Sequence, residues 1–121
     1  MANGIDLATF KPESASDLLT GMLKQIASIV LGNFNEIKKE LSVHLKSLAQ
    51  KAWMTQVGLA TGAISRENAD VAIHTQELAL SNVVLYSEFM VYDTAQKVLS
   101  AVFSVIGAAI KNLTGVELNF G

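Results

Sequence analysis

The chain has no cysteine, so disulfides, thiolate metal sites and thiol nucleophiles are excluded, and its redox compartment is left open. A single proline, Pro12, leaves everything after it free to continue as helix. Charge is scarce: 17% of residues are charged, against about 25% in an average domain. A net charge of -2 gives no electrostatic footprint for a phosphate backbone, so nucleic acid is not expected as a partner. No glycine-rich loop follows a strand, and there is neither an H-E-x-x-H run nor a nucleophile elbow. No enzyme is therefore expected, and no catalytic residue, cofactor or metal is assigned. The opening residues lack the basic start and apolar core of a signal peptide, which implies synthesis in the cytoplasm, with an assembled particle or leaderless export as the open destinations. The longest uncharged runs, 52–65 and 98–110, fall short of the roughly 18–20 apolar residues that span a bilayer.

What the chain does have is apolar surface, at 50% of its residues. Leu23, Ile26, Val30, Phe34, Ile37, Leu41, Leu45, Leu48 and Ala52 recur at spacings of 3, 4, 4, 3, 4, 4, 3 and 4. The underlying period of eleven residues keeps all of them on one nearly straight helical seam. A second seam runs through Val71, Leu78, Leu85, Phe89, Tyr92, Leu99, Phe103, Ile106, Ile110 and Leu113. Ser14 with Asp17 marks the start of the first helix, Ser65 with Glu67 the start of the second, and Gly115 the end. Gly58 and Gly62 mark the turn. The fold class expected is all-α: two long antiparallel helices forming a hairpin, with Gly32-Asn33 as the place of any kink, packing into a helical oligomer. An N-terminal arm occupies 1–13, the hairpin 14–113 with its turn at 58–65, and a C-terminal tail 114–121. Each helix would be about 70 Å long, and the termini would meet at the end opposite the turn.

The apolar residues of such a hairpin concentrate at its open end, where Leu18 through Asn35 carries one charge, Lys24. That face is wider than a single partner helix covers, so either the helices fold back into a four-helix bundle or several hairpins associate. Association is the favoured outcome, through Leu19, Met22, Ile26, Ile29, Val30, Phe103, Ile106 and Ile110. Ser100, Ser104 and Ala108, with Gly107 beside them, would let another helix approach closely. Ile5-Asp6-Leu7-Ala8-Thr9-Phe10 and Val116-Glu117-Leu118-Asn119-Phe120 alternate like half-buried strands and are expected to cover the open end or to reach a neighbouring copy.

Asp70, His74 and Glu77 share one helix face, as do Glu40 and His44, a spacing that reads as a hydrogen-bonded polar surface because the order and number of ligands for a di-metal bundle are missing. Asn112-Leu113-Thr114 matches a glycosylation sequon, read as coincidental in the absence of a signal peptide. Trp53-Met54-Thr55, near the turn, resembles the WXG100 secretion substrates but lacks their glycine. Val84-Leu85-Tyr86-Ser87 with Asp93-Thr94-Ala95 resembles the self-assembling R-body proteins over about a dozen residues with an insertion; neither likeness assigns a family.

The function expected is a noncatalytic structural subunit, self-assembling or packed against other helical proteins in a phage- or secretion-type particle. The alternatives are a membrane-active or pore-forming protein, and a small regulatory or ligand-binding four-helix bundle.

Overall fold

A computed structural model describes residues 5–30, 32–88 and 90–118. The protein is all-α, with four helices and, among the described residues, no strand: α1 Ala15–Ala27, α2 Phe34–Thr61, α3 Arg66–Leu85 and α4 Tyr92–Thr114. The two long helices expected from the seams are thus each interrupted once, at 28–33 and at 86–91. Each helix packs against its neighbours in the chain, α1 also packs against α4, α2 touches α4 across the diagonal, and α1 and α3 do not meet. The result is a four-helix bundle about 42 Å long, the length of the 28-residue α2.

The first interruption has a physical reason. Ile29 and Val30 are β-branched and Gly32 follows them, so the local cost of leaving the helix is small. Folding back then places Leu18, Met22 and Ile26 of α1 in one core with Ile37, Leu41 and Leu45 of α2. The eleven-residue seam stays in phase across the break, for Ile26, Val30, Ile37, Leu41, Leu45, Leu48 and Ala52 are all buried while Leu23 and Phe34 pack at the edge. A continuous seam therefore fits a broken helix as well as an intact one, and burial of the second apolar face decides between them.

The second interruption has no glycine or proline to announce it. Glu40 of α2 holds it instead: its carboxylate accepts the Ser87 hydroxyl proton and, at 3.1 Å, the Glu88 backbone N–H. The turn between α2 and α3 is conventional. Gly62 takes φ +77°, a left-handed conformation that a side chain disfavours, and Ser65 Oγ accepts the Asn68 N–H at 3.1 Å to cap α3.

Because the helices fold in half, the end of α4 lies beside the α2–α3 turn rather than at the far end. Arg66 at the start of α3 donates Nε–H to the Glu117 carbonyl at 3.0 Å. Neither arm is a strand within the described residues. Residues 7–9 form a turn with the Thr9 N–H bonded to the Asp6 carbonyl at 3.2 Å, and 116–118 follow the end of α4 without regular structure. Both arms lie on the bundle, with Ile5, Leu7, Phe10, Val116 and Leu118 against the core. Three hydrogen bonds and one ring contact hold the first arm: Gln25 Oε1 accepts the Ile5 N–H at 3.0 Å, Asn112 Nδ2 donates to the Leu7 and Phe10 carbonyls at 2.9 Å each, and the Phe10 ring lies over Gly21. Leu31, Phe89 and the outer ends of both arms lie outside the described residues.

Candidate interaction face

Six of the eight residues expected to form an interface are core residues of the chain's own bundle. Met22, Ile26, Val30, Phe103, Ile106 and Ile110 are all buried; Leu19 and Ile29 are partly buried at its edge. The width of apolar surface that argued for association is covered instead by the fold-back of the same chain. A lysine at Ile106 would now unfold the bundle rather than dissociate an assembly, since a charge buried without a partner costs several kcal/mol.

The apolar surface that remains is elsewhere. Nine large apolar side chains are exposed among the described residues. Val43, Met54 and Val57 lie along the outer side of α2, and the other six, Val71, Leu78, Leu85, Tyr86, Val91 and Tyr92, belong to α3, to the connection after it and to the first position of α4. Val71, Leu78 and Leu85 are spaced by seven residues, so they form one stripe on the side of α3 opposite its buried residues Ala69, Ile73, Leu80 and Val84. Tyr86, 85% exposed, continues the stripe at the helix end, where Val91 and Tyr92 also stand out.

Beside this stripe a groove of about 460 Å³ runs between α3 and α4. His74, Glu77, Leu78 and Ser81 form its α3 wall; Gln96, Leu99, Ser100, Phe103 and Ser104 form the α4 side. The small residues Ser100 and Ser104 are what keep α4 low here, and a second, smaller groove continues from Ser104 past Gly107 and Ala108 to Lys111 and Leu118. The small-residue run expected to admit another helix thus lines an open surface furrow.

His74 Nδ1 and Glu77 Oε1 are 3.2 Å apart on that wall, an exposed pair one helical turn apart. No three His, Asp or Glu side chains converge to hold a metal among the described residues. His44 lies on the other side of α3, in a cleft with Lys51, Gln76 and Leu80. Asn112 of the sequon uses its amide to bind the arm, so its position in the fold is structural. The exposed stripe is legible in the sequence as a seven-residue spacing, which reads equally well as part of a buried seam. Only the position of the neighbouring helices separates the two.

Comparison with models of protein families, with curated proteins and with solved structures gives no match for this chain.

Proposed function

We propose that this protein is a noncatalytic structural subunit that assembles with copies of itself through the outer face of α3 and the connection into α4. The observation that carries the reading is the apolar stripe Val71, Leu78 and Leu85, extended by Tyr86, Val91 and Tyr92, which holds six of the nine large apolar side chains exposed among the described residues. Exposed apolar side chains in a row, with tyrosines at one end, are the composition of protein contacts. Leu78 lies in the middle of the stripe and also lines the α3–α4 groove, so it is central to any contact made there.

Light scattering over a micromolar to about millimolar range tests the proposal. The expected result is a mass that rises with concentration, and a Leu78→Lys chain that stays at the monomer mass with the same helix content. Leu78 is exposed at 57%, so lysine is tolerated in the folded monomer. A wild-type chain that remains monomeric throughout the range refutes the proposal.

The use made of α4 supports assembly over membrane insertion. Tyr92–Thr114 is long and apolar enough to cross a membrane by length and composition, yet half of its most apolar window is buried inside the bundle. Val98, Val102, Val105 and Ile106 of that helix are core residues, so insertion would require the bundle to open. A small ligand-binding bundle is the second reading, favoured by a groove volume within the range of about 300–1,000 Å³ typical of ligand sites. An apolar fluorescent probe that binds stoichiometrically to the monomer, and is excluded by Ser100→Trp, would favour that reading.

A further inference from the structure

Going beyond the outer-face contact and independent of it, we infer that the bundle has a second packing: both breaks straighten, and two copies exchange their α1–α4 halves to form one long four-helix dimer.

The buried residues carry the inference. Ile26, Ile37 and Leu48 stand eleven residues apart, as do Val30, Leu41 and Ala52, and all six are buried although the chain reverses between Val30 and Phe34. The other long pattern does the same. Ile73, Val84, Ala95 and Ile106 are eleven apart and buried, two on each side of the break at 86–91. An eleven-residue period keeps one face of a nearly straight helix. A fold-back needs no such phase, because a connection of six residues can leave the next helix at any rotation about its axis. Phase preserved across both breaks is what straight helices require. Ala69, Leu80, Val91 and Val102 form a further series of eleven, of which Val91 alone is exposed, at 70%. It lies in the break, and straightening α3 into α4 returns it to the seam.

The breaks themselves are compatible with helix. Neither contains proline, and positive φ occurs among the described residues only at Gly62 and Gly115. Helical bonding already reaches into the first break: the Val30 N–H bonds to the Ile26 carbonyl and the Ile37 N–H to the Asn33 carbonyl, both at 3.0 Å. At the second break the Glu40 carboxylate, bonded to Ser87 and to the Glu88 N–H, is the clamp to be released.

Both breaks lie at the end of the bundle opposite the α2–α3 turn, so α1 and α4, packed on one another, swing out together. The α1–α4 and α2–α3 contacts stay within the chain. The faces bared are those by which α1 meets α2 and α4 meets α2 and α3. A second open chain, running antiparallel, carries the matching faces, so each helix contact of the closed bundle recurs between copies. The occupant is thus set by the chain's own interior. Exchange requires the core to open, so folded chains stay closed when concentrated and the dimer forms when unfolded chains refold together.

A Leu78→Lys chain, in which the outer-face contact is removed, isolates this packing. Refolded from urea at about millimolar chain, it should yield a dimer by light scattering that persists on dilution; refolded at about micromolar chain, it should yield monomer. Spin labels at Ser16→Cys and Lys46→Cys, both exposed positions in a chain without native cysteine, read the conformation when labelled chains are diluted into unlabelled excess. In the closed monomer the labels sit on neighbouring helices, within about 25 Å. In the dimer they should be about 45 Å apart, from 30 residues at 1.5 Å each. Val91→Pro suits the φ of -76° that this residue has in the closed chain but interrupts a straight α3–α4 helix. It should lower the dimer yield at least about tenfold while the monomer keeps its helix content. A dimer whose labels stay within about 25 Å would mean closed subunits and overturn the inference. Recovery of monomer alone from millimolar refolding, or a Val91→Pro chain that dimerises as readily as its parent, would overturn it too. None of these outcomes bears on the outer-face reading, which is tested on folded chains that retain Leu78.

Discussion

Replacing Gly21 by alanine should reverse the usual effect of that substitution, and the reversal should depend on one aromatic ring. In a helix interior, glycine to alanine stabilises by about 1 kcal/mol. At position 21 an added Cβ would lie 2.5 Å from Phe10 Cζ and 2.9 Å from Cε1, closer than such atoms approach. The ring has to leave, because Gly21 is fixed in the middle of α1 while Phe10 is on an arm. Undocking a half-buried phenylalanine forfeits about 1 kcal/mol or more of burial. The arm's two bonds to Asn112, worth about 0.5–1.5 kcal/mol each, loosen with it. The loss of about 2–4 kcal/mol exceeds the gain, so Gly21→Ala should destabilise by about 1–3 kcal/mol.

In a Phe10→Ala background the clash is gone and only the helix term remains. There Gly21→Ala should stabilise by about 1 kcal/mol. Urea unfolding of the four chains, followed by the fluorescence of Trp53, the single tryptophan, and by circular dichroism, gives the cycle directly. The expected signature is a change of sign between backgrounds. If Gly21→Ala stabilises equally in both, the ring does not rest on α1 and the account of the arm is wrong.

Two further outcomes follow from the polar clamps. Asn112→Ala should cost about 1–3 kcal/mol, from two backbone hydrogen bonds, and should speed amide exchange at Ile5 while the centre of α4 keeps its protection; unchanged exchange at Ile5 would show that the amide does not hold the arm. Glu40→Ala should cost about 1–3 kcal/mol and speed exchange at Glu88, because the carboxylate that pins the second interruption is removed. A chain of wild-type stability with Glu88 still protected would show that the break is set by something other than Glu40.

The sequence by itself determined that this protein is helical, where the caps at Ser14, Gly62, Ser65 and Gly115 lie and which side of α1 and α2 faces inward. Ser14, Ser65, Gly62 and Gly115 act at helix ends within a few residues of themselves, and the seam Ile26 to Ala52 depends only on the helical period. What only the tertiary structure decided is where two long apolar patterns stop being single helices. At Ile29 to Asn33 the local preference is nearly balanced, and the deciding contribution is the burial of α1 against α2 and α4, made by residues far along the chain. At Tyr86 to Val91 the break is held by Glu40, 47 residues away from Ser87, a contact no local pattern encodes. The same cause moved the exposed apolar surface. Folding in half turned Met22, Ile26, Phe103, Ile106 and Ile110 into core and left Val71, Leu78 and Leu85, equally apolar in the sequence, facing outward, because hydrophobic burial is nondirectional and goes to whichever faces the topology brings together.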